Sequence, residues 1–71
     1  MKLYTVTDAA SGVELSGPLP LNRTCLRYGG RTVGAERMAR ELDRLYVGEG
    51  LVYTDAINET RYWIRHAKDV R

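Results

Sequence analysis

Residues 50–67 read GLVYTDAINETRYWIRHA. Two runs rich in β-branched and aromatic residues, 50–56 and 60–67, flank a polar turn around Ile57, Asn58 and Glu59, which is the pattern of an antiparallel hairpin. Side chains alternate across a strand, so the length of the turn decides which residues share a face. A two-residue turn at Asn58-Glu59 and a four-residue loop from Ala56 to Glu59 give the same facing, because both pair odd positions with even ones. Leu51, Tyr53, Tyr62 and Ile64 then share one side, and Val52, Thr54, Arg61, Trp63 and Arg65 share the other. A three-residue loop would instead place Trp63 with Leu51 and Tyr53. The tail that follows, KDVR, is expected to fray.

Upstream, TVGAERMARELDRLYVG at 32–48 has the spacing of an amphipathic helix. Ala35, Met38, Ala39, Leu42, Leu45 and Tyr46 form a continuous apolar stripe. Thr32 suits the N-cap and Gly48 the C-terminal stop. The opposite face carries Glu36, Arg37, Arg40, Glu41, Asp43 and Arg44, with Glu36–Arg40 and Arg37–Glu41 spaced for i,i+4 pairs.

The chain begins with KLYTVTDAASGVELSG, which reads as two short strands about a turn at Ser11-Gly12. That turn sets Ala10 opposite Val13 and Asp8 opposite Leu15, and it puts Tyr4, Val6, Val13 and Leu15 on one face. Pro18 and Pro20 end the second strand and bar it from the centre of a sheet. Residues 17–31 are consistent with a short helical turn starting at Asn22 or with an irregular segment pinned by Leu21, Cys25, Leu26 and Tyr28.

The order is therefore β-β, an unassigned segment, α, β-β. It predicts one α+β domain over residues 1–71, a two-layer fold with a four-stranded antiparallel sheet and one main amphipathic helix on one face. A helix of about a dozen residues, roughly 18 Å long, covers only one side of such a sheet. The other side meets solvent or a partner, unless residues 17–31 fold over it. In the first case Trp63, between Arg61 and Arg65 and opposite Val52, is displayed; in the second it is enclosed, or closes a sheet edge.

A chain of 71 residues lies near the lower limit for a single core without disulfide or metal, so a monomer or a homodimer is expected. The composition, 44% hydrophobic and 28% charged, is that of a folded globular protein. Cys25 is the single cysteine, which excludes an internal disulfide and fits a reducing compartment. No stretch reads as a signal peptide or membrane span, so the cytoplasm is expected.

The residue types needed for catalysis are sparse. His66 is the only histidine, and no His or Cys pair has metal-ligand spacing, so neither metal nor cofactor is expected. A Cys25–His66 dyad would still need an orienting group and an oxyanion hole. Asp8, Glu14, Asp55 and Glu59 form no acid/base pair and fall near expected turns and strand ends, where most of them are expected to be solvated. YGGRTVG, before the helix, lacks the Lys and Ser/Thr of a phosphate loop. Arg31 remains there as an anion-binding candidate beside a helix N-terminus.

Net charge is +2 but unevenly spread. Residues 21–48 hold six Arg against Glu36, Glu41 and Asp43, a surplus of three. Arg suits bidentate and stacked contacts. These features point to binding rather than chemistry. Arg61, Trp63, Arg65 and Val52 on the sheet, with Arg37, Arg40 and Arg44 on the helix, are the expected contacts to a larger protein, since Trp and Arg are enriched in interface hot spots. A small nucleic-acid-binding or transcription-regulatory domain that uses the Arg residues and Trp63 is the alternative. A stacking platform uses several aromatic rings on one face, whereas strand parity puts Tyr53 and Tyr62 opposite Trp63.

In size and in β-β-α-β-β order the whole chain resembles the small inhibitors of bacterial defence carried by phages and mobile elements, including anti-CRISPR proteins. That resemblance rests on no shared motif. It implies steric binding to a protein subunit of a larger machine, such as a CRISPR interference complex, with acidic target surface meeting Arg37, Arg40, Arg44 or Arg61. The net charge is unlike that of acidic DNA mimics.

Overall fold

The hairpin at 50–67 forms with the four-residue loop. A computed structural model describes residues 1–71. Its elements are β1 (Lys2–Asp8), β2 (Glu14–Pro20), α1 (Leu21–Tyr28), a 3-10 turn (Gly29–Arg31), α2 (Ala35–Asp43), β3 (Gly50–Asp55) and β4 (Thr60–Asp69). The strands make one antiparallel sheet in the order β2-β1-β4-β3. Asp55 pairs with Thr60, Tyr53 with Tyr62 and Val52 with Trp63, which is the facing expected from an even-length turn. Asp55 departs from the expectation that most of the turn carboxylates are solvated. Its carboxylate is fully buried and accepts from the backbone N–H of Ile57 and Asn58, each at 3.1 Å, and from Asn58 Nδ2 at 2.8 Å. The loop is thus closed by a side chain that replaces backbone pairing.

The first hairpin differs from its expected register. Thr7 pairs with Glu14, so the loop spans Ala9–Gly12 rather than Ser11-Gly12 alone. Asp8 is the cause: Oδ1 accepts from Ala10 N at 2.8 Å and Ser11 N at 3.3 Å, and Gly12 takes a positive φ of 79°. One pair further on, Val6 faces Ser16, so Leu15 is an extra residue in β2. A bulge of this kind flips the following side chains to the other face. Tyr4 and Val6 are therefore buried while Val13 and Leu15 are exposed, and Ser16 takes the inward position, hydrogen-bonded to the Tyr28 hydroxyl. The prolines do not end β2, which runs through Pro18 to Pro20. As expected, it lies at an edge, where the missing N–H groups cost nothing.

Residues 21–28 are a helix, so the chain has two. In α1, Thr24, Cys25 and Tyr28 are buried while Leu26 faces outward. Thr32 does not cap α2; its hydroxyl donates to the Tyr28 and Gly29 carbonyls at 3.0 and 3.2 Å, closing α1 instead. Gly29 is required here, because a Cβ would lie 2.7 Å from Ala35 Cα where the two helices meet.

Helix α2 is built from strong helix formers but stops at Asp43, short of the expected Gly48. Competing partners end it. Leu45 carbonyl accepts from His66 Nδ1 at 2.9 Å, and Tyr46 N donates to the Glu49 carboxylate at 2.7 Å. Gly48, with φ 95°, donates to His66 carbonyl, while His66 N donates to Glu49 carbonyl. That is a glycine bulge leading into β3. Tyr46 consequently leaves the apolar stripe and is exposed. At the other terminus the tail does not fray at Lys68: β4 extends to Asp69, whose carboxylate meets the N-terminal ammonium at 3.1 Å.

Both helices lie on the same side of the sheet. Cys25, Tyr28, Met38 and Leu42 pack on Tyr4, Val6, Tyr53, Tyr62 and Ile64 in one core, with Tyr28 and Tyr62 rings 5.0 Å apart. The segment 17–31 therefore does not cover the second face, which is bare.

Candidate binding surface

The bare face is a set of cross-strand rows. Trp63 sits between Thr7 of β1 and Val52 of β3, Arg65 between Thr5 and Gly50, and Arg61 beside Thr54. Glu14 lies beyond Thr7 on β2. The ring of Trp63 is held from two directions. A Cβ on Gly50 would stand 2.4 Å from Trp63 Nε1, so the indole lies across that glycine, and the Arg65 guanidinium is 5.8 Å from the ring centroid. Such a contact is worth about 0.5–1 kcal/mol at an exposed site. Trp63 keeps 38% of its surface exposed and Val52 57%. A large apolar ring held in place with its free side toward solvent is preorganised, so little side-chain entropy remains to be lost on binding.

The expected helix residues lie on the other side of the molecule. Arg37 and Arg44, with Glu41 between them, line a groove of about 650 Å³ that runs between α2 and β3 over Leu51 and Tyr53. Glu41 is fully engaged: Oε2 accepts from Arg37 Nε at 3.2 Å and Oε1 from the Tyr53 hydroxyl at 3.0 Å. Those two bonds, Tyr53 first, hold its carboxyl below the usual carboxylate range, while burial and then the Glu41 contact push the Tyr53 phenol up. Arg40 is exposed but does not line the groove, and the expected Glu36–Arg40 pair is not formed. The sequence-derived residues thus fall into two groups, Arg61, Trp63, Arg65 and Val52 on the bare face and Arg37 with Arg44 on the groove. Val52 belongs to both, because it also lines the groove.

Gly50 is a residue that the sequence reading does not single out, although strand parity already puts it on the face of Val52 and Trp63. Arg31 is exposed at the end of the 3-10 turn, ahead of the Gly34 N-cap of α2, where no side chain caps the helix. On the outer side of α1, Arg23, Arg27 and the exposed Leu26 border a smaller depression with Leu19.

Cys25 and His66 are both buried, and His66 spends Nδ1 on Leu45. Burial pushes the Cys25 thiol up, away from the thiolate that nucleophilic attack uses. No cluster of three or more His, Cys, Asp or Glu side chains is placed to hold a metal ion, and no helix is long and apolar enough to cross a membrane. Comparison with protein-family models, with curated proteins and with solved structures finds no match to this chain.

Proposed function

We propose that this chain is a non-catalytic protein-binding module that inhibits a larger bacterial machine by covering part of one of its protein subunits. The bare sheet face centred on Trp63 is the contact surface, with Arg61 and Arg65 beside the ring and Val52 completing the apolar centre. A phage-borne or mobile-element origin, and a CRISPR interference complex as target, are the form of this reading that the chain's size and element order suggest. The observation that carries it is the placement of Trp63: both helices pack on one side of the sheet, and the single Trp is pinned on the other. An exposed aromatic ring between arginines is the composition of an interface centre rather than of an ordinary solvated sheet.

Immobilised protein incubated with bacterial lysate tests the reading. A protein retained by the wild type and lost with Trp63→Ala supports it. Tight binding of single-stranded DNA or RNA at about 150 mM salt, falling steeply as salt rises, would replace it with nucleic-acid recognition. The bare face offers one aromatic ring, because Tyr53 and Tyr62 are buried on the helix side, and sequence-tolerant strand binding uses successive rings.

A further inference from the structure

The two edges of the sheet are unequal. Edge β2 is guarded, since Pro18 and Pro20 offer no N–H and the register shifts twice along it. Edge β3 has no such protection: Gly50 to Thr54 contains neither proline nor a charged residue. Its hydrogen-bonding pattern fixes which backbone groups are free. His66 N donates to Glu49 carbonyl, so with antiparallel alternation Leu51, Tyr53 and Asp55 bond to β4, and Gly50, Val52 and Thr54 aim their N–H and C=O groups outward. Ala9 N donating to Arg61 carbonyl agrees, because it turns Arg61 toward β1 and away from Thr54. No side chain bonds to these outward groups.

Charge surrounds this edge on both sides. Arg37 and Arg44 line the groove above it, and Arg61 and Arg65 stand on the bare face below. The nearby carboxylates are occupied within the chain: Glu41 by Arg37 and Tyr53, Glu49 by Tyr46 N, Asp55 by its own loop. Arg44, Arg61 and Arg65 form no ion pair. A strand laid along β3 would turn alternate side chains to the two faces and so meet cations on both. A second copy of this chain joined by a two-fold axis at β3 would bring the same arginines against themselves.

We infer that the β3 edge receives an extended, acid-rich segment of the partner protein as a fifth strand. This rests on the protein-binding reading and names how the partner engages. Main-chain bonds to Gly50, Val52 and Thr54 hold the segment. Carboxylates on one of its faces reach Arg37 and Arg44 across the groove. Those on the other reach toward Arg61 and Arg65, two strand spacings away at about 10 Å, a gap that an Arg and a Glu side chain together span.

The test uses the whole chain and a synthetic peptide of about nine residues, long enough for one strand, in which Glu-Glu pairs alternate with Val-Thr pairs so that both faces of the strand carry carboxylates. Amide hydrogen exchange followed by NMR is expected to slow at Val52 and Thr54 by about tenfold or more when the Glu peptide is added. N-methylation of the alternate set of peptide amides that faces β3 is expected to weaken binding by well over tenfold, since each lost hydrogen bond costs up to about tenfold; methylation of the other set is expected to change it little, and a Lys-for-Glu peptide is expected not to bind. Val52→Pro removes one outward N–H without touching the ladder to β4 and is expected to weaken binding about tenfold; should it fail to fold, the methylated peptides decide alone. Unchanged exchange at Val52 and Thr54, equal binding of the Lys peptide, protection by single-stranded DNA, or protection that needs only a higher concentration of the chain itself each overturns the inference. In the lysate experiment, a partner lost with Trp63→Ala but kept undiminished by Val52→Pro overturns the edge inference and leaves the protein-binding reading standing.

Discussion

The indole of Trp63 rests on Gly50, where a methyl group would come within 2.4 Å of Nε1 and 3.0 Å of the Ile64 carbonyl. The ring's orientation is therefore set by an absent side chain on the neighbouring strand. Gly50→Ala is expected to lift the indole off the sheet and shift its fluorescence to the red. Stability is expected to fall modestly, because crowding costs about 1–3 kcal/mol and the lower entropy of the unfolded chain returns only about 0.4–1 kcal/mol. Thermal unfolding and Trp emission on the same sample check this. An unchanged spectrum would contradict the packing of Trp63 on Gly50.

Trp63 and Ile64 are adjacent in sequence and opposite in role. Ile64 is fully buried under the helices, while Trp63 is 38% exposed. Ile64→Ala is expected to cost about 2–5 kcal/mol in denaturant unfolding. Trp63→Ala is expected to cost less, roughly 2 kcal/mol, because the indole is only partly covered and its loss uncovers Gly50 and Val52. Equal losses would place Trp63 in a core.

Acid should weaken the fold through Asp55. The Asn58 side-chain amide, then the backbone N–H of Asn58 and Ile57 and the Tyr62 hydroxyl, hold its carboxyl below the usual range despite burial. A depressed folded value means that stability is fully present above the unfolded value, about 3.9, and is lost as pH falls through the folded one. Glu41 and Asp69 act in the same direction. Denaturant midpoints are expected to stay level above about pH 5 and fall below about pH 4. Asp55→Asn is expected to be less stable at pH 7 and less acid-sensitive.

Alkali acts through Tyr4. Burial, and then Asp43, push its phenol up to about 12, and its hydroxyl donates to Leu42 carbonyl at 3.0 Å. A raised folded value stabilises below the unfolded value, about 10, and that stability is lost as pH rises toward 12. Tyr4→Phe is expected to lose about 1 kcal/mol at neutral pH and part of the alkaline sensitivity, measured by denaturant titration between about pH 9 and 11.

How much of this is legible in the sequence varies with the source of order. The hairpin at 50–67 is readable because alternation survives any even-length turn, and with it the separation of Tyr62 and Ile64 from Arg61, Trp63 and Arg65. The failure of register in the first hairpin starts with a polar side chain that replaces backbone partners. Asp8 enlarges the first loop, and a bulge at Leu15 then exchanges Val13 and Leu15 for Ser16. Helix α2 ends early because Glu49 and His66, neither of them part of its apolar pattern, capture the amide of Tyr46 and the carbonyl of Leu45. Helix α1 is hidden by its brevity and by the prolines before it, since eight residues with an exposed Leu26 give little periodicity. For the candidate surface, parity supplies the bare-face group, but only the tertiary fold shows that Arg37 and Arg44 border β3 from the other side.

The most direct measurement places 5-fluorotryptophan in this chain and follows its single fluorine-19 resonance, free and in complex with the protein retained from lysate. Free, the resonance should show the solvent isotope shift of an accessible ring; in complex it should move and lose that shift. A resonance already shielded in the free chain, or one that stays solvent-exposed in the complex, would contradict Trp63 as the centre of the binding surface.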